Sequence, residues 1–425
     1  MEYRSYFVYF FGSCVISQIR CLLCARFHQP KFHCRILIGI PCCFDPYPAS
    51  LRKKLWTNAG FITSYLILSY CVFGQLVNVV LLLIGHRKTN GAIEEIATQA
   101  ACTGYCIIGL IKMYGLAYHR NQLASTINDC GDMWRDQFNS LTDRLNGGKF
   151  FRPTVTIMTL AAINCIVMVS AFNFIPVAEM IFNRWQTGEW HRQLPYVIWY
   201  PFDKFGGWWY YLVYVFEIYG GYVVAGSNVG IDCIFCLLCA HLSMQLKLLE
   251  TALEELVEPQ KDALVMSSKN IDEKLQKLIR RHQNVLSYQN TINAVFGLTF
   301  FLNLVADSVI MCAVGFLIIT ANYYVVIKMT LFMGVCLVEI FFVCYYGNEV
   351  MEHSLQLATA AYNCKWYQQI YGNTKFGKKL ILVILRAQHP IILMAWKFWP
   401  ITINTFGMVL NASWSYFTLL RTIIV

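Results

Sequence analysis

Four carboxylates stand in or beside long apolar runs of this chain: Glu217, Asp232, Asp307 and Glu339. In transport proteins such groups relay protons or ions when they converge on one cavity. An unpaired charge in hydrocarbon costs at least ~2.5–3.5 kcal/mol, so each needs a partner or a place at the boundary. Their spacing defines no shared site, and they read as structural pairs or boundary residues. Cys233-x-x-Cys236-x-x-Cys239 has the spacing of half a zinc site, and Cys21-x-x-Cys24 repeats part of it. A tetrahedral zinc site needs a second pair of Cys or His at matching spacing. The sequence offers none, so these cysteines read as small packable side chains and no metal is expected. There is no Gly-rich phosphate loop, no His-Glu-x-x-His and no nucleophile elbow. Neither catalysis nor a cofactor is expected.

The elements that carry these residues are membrane spans. Hydrophobic residues make up 57% and charged residues 14% of the 425, against ~45–50% and ~25% in soluble domains. Mean hydropathy is +0.47. The net charge of +10 comes from basic residues flanking apolar runs, where anionic membrane lipid, and not nucleic acid, is the natural partner. Seven runs reach the ~20 residues that a membrane helix needs: about 58–85, 93–118, 154–182, 208–242, 292–322, 325–350 and 398–425. Tyr6–Ile19 is apolar but too short to span, lacks a clear small-residue cleavage site, and reads as a re-entrant or interfacial segment.

Lys and Arg set the orientation. The N-terminal segment and the second, fourth and sixth loops hold 25 of them, and the opposite side holds 6. The N-terminus is therefore expected in the cytoplasm and the C-terminus outside, the reverse of a G-protein-coupled receptor. The expected fold is an all-α polytopic membrane protein with seven transmembrane helices and a cytoplasmic helical anchor domain. Its expected segments are a cytoplasmic N-terminal segment (1–56), spans one to four (57–242), cytoplasmic extensions of spans four and five (243–291), spans five and six (292–350), an anchor segment (351–397) and span seven (398–425). Ile271, Leu275, Leu278, His282 and Val285 recur on one helical face, so the two extensions are expected to pack together. The run Val197–Phe216 is crowded with Trp and Tyr and reads as an interfacial belt or as the lining of a pocket open to the outer face.

Several stretches resemble, in order, those of insect odorant receptors. "GIDCIFCLLCAHLSMQLKLLE" (Gly230–Glu250) is similar to their fourth-span exit, "IRRHQNVL" (Ile279–Leu286) to the start of the fifth span, and "YYGNEVMEHSLQLATAAYNCKWYQ" (Tyr345–Gln368) to the sixth-span exit. "LPYVIWYPFD" (Leu194–Asp203) resembles the outer loop and "LNASWSYFTLL" (Leu410–Leu420) the closing span. The resemblance covers roughly residues 35–425.

It implies an odorant-binding subunit of a ligand-gated, non-selective cation channel in the plasma membrane of olfactory neuron dendrites. The chain would join obligate olfactory co-receptor subunits in a hetero-tetramer around a pore lined by span seven. Lacking the co-receptor's fourth-loop insertion and closing sequence, it resembles an odour-tuned subunit. By position, Leu419 and Ile423 match a hydrophobic gate that closes by dewetting, and Thr422 matches a polar filter residue. Arg421 reads as snorkelling to the outer interface. The ligand, a small volatile organic molecule, is expected in the outer half of the bundle near Met168, Phe172, Tyr214, Ile218, Tyr323, Tyr324 and Met329. A gustatory-type channel of the same superfamily would end in Thr-Tyr-x-x-x-x-x-Gln-Phe, which is absent here. The readings from other classes are a G-protein-coupled receptor, which the orientation opposes, and a secondary transporter, which would take up substrate without channel current.

Overall fold

The computed structural model describes residues 51–85, 91–135, 147–257, 268–368 and 374–424. The segment expected before residue 51, with Tyr6–Ile19 and Cys21-x-x-Cys24, lies outside the described residues. Among the described residues the α-helices are α1 (Leu51–Gly85), α2 (Gly91–Tyr118), α3 (Arg120–Arg135), α4 (Gly147–Thr187), α5 (Trp209–Glu254), α6 (Ser268–Thr320), α7 (Tyr323–Asn363), α8 (Thr374–Ala387) and α9 (Ile403–Ile424). A short antiparallel hairpin, β1 (Met394–Ala395) with β2 (Trp399–Pro400), precedes α9.

Hydrocarbon offers no partner to a backbone N–H or C=O, so a spanning segment must satisfy these groups internally, as a helix does. Six of the described helices, α1, α2, α4, α5, α6 and α7, are long and apolar enough to cross a membrane. The 22-residue α9 is ~33 Å long, close to the ~30 Å hydrocarbon thickness. With 46 and 53 residues, α5 and α6 run ~69 and ~80 Å and must project beyond a bilayer.

The centre of the bundle is α5, buried almost continuously from Gly220 to Leu253. Gly220, Gly221, Ala225, Ser227 and Gly230 leave little side chain between it and its neighbours, so backbones approach closely. It packs most extensively on α7, and also on α4, α6 and α2. Beyond the span, Ile271, Leu275, Leu278, His282 and Val285 of α6 are all buried. Lys379 of α8 pairs with Asp272 of α6 at 2.8 Å. The hairpin seats on α6 at Gly297, where a Cβ would lie only 3.1 Å from the Met394 carbonyl.

Three of the four carboxylates converge on a cation that loop-by-loop counting passes over. Lys112 of α2 has a fully buried side chain and meets both oxygens of Asp232 of α5 at 2.8 Å. Asp307 of α6 and Glu339 of α7 act electrostatically on the same ammonium. Two turns earlier on α2, the Tyr105 hydroxyl donates to Glu339 Oε1 at 2.7 Å, and Asn303 Nδ2 donates to Asp307 Oδ2 at 2.6 Å. One polar cluster therefore ties together α2, α5, α6 and α7. The scattered spacing in sequence becomes a shared site through tertiary pairing.

Removing one partner of a buried pair strands the other charge, at a cost of roughly 3–5 kcal/mol. Lys112→Met should lower the thermal stability of the detergent-solubilised protein by that amount. The double variant Lys112→Met/Asp232→Leu should recover most of it. If the double variant loses the sum of the two single losses, the pair is not the source of the stability.

Candidate functional site

A cavity of about 510 Å³ of unoccupied space opens between α1, α2, α4, α5 and α7, beneath the loop that joins α4 to α5. Each helix contributes a short stripe at helical spacing. Cys71 and Gln75 come from α1, Cys102, Tyr105 and Cys106 from α2, and Met168, Val169 and Phe172 from α4. The α5 stripe is Glu217, Gly220, Gly221 and Val224, and Phe332 comes from α7. Phe332 meets Tyr105 edge-on at 5.2 Å and Phe172 at 6.1 Å, and Phe172 stacks on Tyr196 at 6.1 Å. Rings in these arrangements gain beyond their buried area.

The roof is a loop folded down into the bundle. Ile198 is 1% exposed and lines the cavity with Tyr196. Glu217, fully buried, holds the roof through both oxygens: Oε2 accepts from the Tyr196 N–H at 3.0 Å and Oε1 from the Tyr200 hydroxyl at 3.1 Å. Gln99 Nε2 donates to the Val197 carbonyl at 2.6 Å, and the Trp199 N–H donates to the Gly74 carbonyl at 3.1 Å. Lys204 caps the Ile198 carbonyl at 3.1 Å; burial pulls its ammonium below the usual lysine range, against the opposing charge of Glu217. The Tyr196 hydroxyl lies directly over Gly221, so a Cβ there would collide with it.

The residues anticipated from sequence divide in space. Met168 and Phe172 line the cavity. Tyr214 instead donates to the Asn173 carbonyl at 2.7 Å, beside Pro176, which interrupts the hydrogen-bond ladder of α4. Ile218 and Tyr324 are half-buried outside the lining, Tyr323 is 75% exposed, and Met329 is fully buried on α7. Gln75, Cys102, Tyr105, Cys106 and Phe332 were not anticipated. Their signal was available only as four- and three-residue spacings inside uniformly apolar runs.

The second notable surface is on α9. Phe406, Val409, Ser413 and Phe417 face α6 and α7: Phe406 meets Phe341 at 5.5 Å, and the Ser413 hydroxyl reaches the Ser308 carbonyl at 3.3 Å. The opposite face is exposed and carries a polar stripe, Asn404, Asn411, Ser415, Thr418 and Thr422 at helical spacing, flanked by the exposed apolar side chains of Ile403, Met408, Trp414, Tyr416 and Leu419. The Thr422 hydroxyl donates to the Leu419 carbonyl at 2.8 Å. Leu419 is 55% exposed. Ile423 continues the helix, and its side chain and that of Arg421 lie outside the described residues.

Residues 92–414 match the family described as 7tm odorant receptor. Odorant receptor 85b of Drosophila melanogaster is 25% identical over 333 residues, covering 77% of this chain and 82% of its own length. Odorant receptor 67c of the same fly is 25% identical over 378 residues, covering 88% and 89%. Among solved structures, the insect olfactory receptor OR5 of Machilis hrabei in complex with eugenol superposes with a TM-score of 0.76 at 14% identity, over 96% of this chain and 99% of that one.

Glu217→Gln keeps the size of the anchor but leaves one acceptor oxygen for two donors. Losing such a buried hydrogen bond costs ~1–3 kcal/mol. Amide hydrogen exchange at Tyr196 should therefore accelerate about tenfold, read by mass spectrometry of the intact chain. Unchanged protection there would mean that Glu217 does not hold the roof.

Proposed function

We infer the function of this chain from one premise: it belongs to the 7tm odorant receptor family, a family of receptors and not of enzymes. The chain is the odorant-binding subunit of a ligand-gated cation channel in the plasma membrane, with its N-terminus inside and its C-terminus outside. Volatile ligands enter the roofed cavity, whose aromatic and aliphatic walls suit small apolar molecules. OR5, which shares the fold, was solved with such a molecule, eugenol.

The observation that carries the channel reading is the exposed polar stripe of α9. A lipid-facing helix gains nothing from Asn404, Asn411, Ser415, Thr418 and Thr422, whereas a helix lining a water-filled pore does. Four subunits, this chain with the olfactory co-receptor, would bring such stripes around one axis. Leu419 and Ile423 form the hydrophobic gate and Thr422 contributes to the filter. Ligand contact at Phe332 reaches the gate helix along α7, because Phe341 on that helix packs against Phe406 of α9. Tyr214, Ile218, Tyr323, Tyr324 and Met329 act behind the cavity wall and at its approach, around the contacts made by Met168 and Phe172.

Whole-cell recording with and without co-receptor, under an odorant panel, tests this reading. Odorant-evoked cation current is expected only with the co-receptor. Leu419→Ala and Ile423→Ala should raise the resting leak several-fold by widening the dewetted constriction. A G-protein signal without current, or ligand uptake without current, would contradict it.

A further inference from the structure

The polar groups on the cavity wall are few, and most are committed or closed off. Both Glu217 oxygens hold the roof, the Tyr105 hydroxyl is given to Glu339, and Gln75 Oε1 is enclosed within the wall. The Tyr196 hydroxyl is different. Glu217 fixes its backbone N–H and its ring stacks on Phe172, so the side chain is held from two sides. The ring runs inward and sets the hydroxyl over Gly221, itself a lining residue. Cys71, Cys102, Cys106 and Glu217, all on the same wall, act on that hydroxyl electrostatically. It makes no hydrogen bond among the described residues, and unlike Gln75 Oε1 it keeps accessible surface, which at this depth faces the cavity. A tyrosine hydroxyl turned into a bundle ordinarily finds a partner.

We propose that the Tyr196 hydroxyl donates to the ligand, and that the cavity thereby selects volatile carbonyl compounds: ketones, aldehydes and esters on small apolar skeletons. This rests on the cavity being the ligand site. A phenol hydroxyl has one proton to donate, and a carbonyl oxygen accepts it without bringing a donor of its own. An alcohol makes the same bond but leaves one O–H of the pair without an acceptor, since both Glu217 oxygens are taken. A hydrocarbon displaces any water from the hydroxyl and replaces none of its bonds. The skeleton binds by shape and dispersion against Phe172, Phe332 and Met168, while its single carbonyl sets the orientation. Because Glu217 holds the Tyr196 backbone, a ligand bonded to the hydroxyl is tied to the roof.

The test pairs each ketone with the alkene in which C=CH2 replaces C=O, a near match in shape, on cells expressing the full chain with co-receptor. Ketones should reach half-maximal current at about tenfold lower concentration than their alkenes, the scale of one buried hydrogen bond. The matching alcohols should fall between, and alcohols more potent than ketones would overturn the choice of carbonyl. Tyr196→Phe removes only the hydroxyl and keeps the ring for Phe172. It should bring ketone and alkene within about threefold by weakening the ketone. Since the hydroxyl has no protein partner, Tyr196→Phe should leave the thermal stability of the unliganded chain unchanged. A loss of stability, or an equal loss of potency for both ligands, would make Tyr196 a packing residue and overturn the proposal. Gly221→Val, which fills the cavity beneath Tyr196, should silence ketones and alkenes together. If that chain does not reach the surface, Met168→Trp fills the cavity from α4 and should do the same. Equal potency of ketones and alkenes in a chain that filling silences would overturn the carbonyl proposal alone. Full responses with the cavity filled would overturn it as the ligand site, and the proposal with it. Silence to every ketone despite surface expression would also count as refutation.

Discussion

A lysine ammonium buried in an apolar bundle has to be met by a carboxylate, and the pairing of Lys112 with Asp232 is the constraint on which the rest of the bundle depends. The two residues come from α2 and α5, and the cluster extends through Glu339 and Asp307 to α7 and α6. Because these groups lack solvation unless all four helices are in register, the cluster specifies one arrangement of helices that greasy contacts alone would leave interchangeable. Apolar packing supplies contact area, and the cluster supplies register. Tyr105 joins this cluster to the cavity: its ring lines the cavity and meets Phe332, while its hydroxyl is held by Glu339. The wall of the cavity is thus continuous with the framework that fixes the helices.

The same logic operates at the roof. A loop of irregular backbone cannot lie against an apolar bundle unless its polar groups are satisfied. Glu217, Gln99 and the Gly74 carbonyl together satisfy Tyr196, Val197, Trp199 and Tyr200. An acid in a membrane helix that looks like a liability is therefore what lets the loop close a cavity. The roofed cavity and α9 are linked through α7, which lines the first with Phe332 and packs Phe341 against Phe406 of the second.

The helices were legible from the sequence because hydrocarbon thickness demands runs of ~20 apolar residues, and such runs survive without any knowledge of tertiary contacts. The buried stripe from Ile271 to Val285 was legible for a similar reason, since a 3.6-residue period is local. The polar cluster was not. Lys112 sits alone inside "GLIKMYGLAY", and its partner lies 120 residues away, beyond any spacing rule. The cavity was half legible. Of the residues named for the ligand, Met168 and Phe172 line the cavity, but Tyr214 turns aside to the carbonyl of Asn173 near Pro176. The aromatic loop read as an interfacial belt or as a pocket lining, and nothing local decides between them, because it is Glu217 that draws Tyr196 and Tyr200 inward.

The most direct measurement is an experimental density map of the full chain saturated with an agonist identified by recording. The expected result is ligand density between Phe172, Tyr196 and Phe332, beneath the roof held by Glu217. Agonist density elsewhere, with this cavity empty and its roof unchanged, would contradict the cavity as the place where ligand and channel meet.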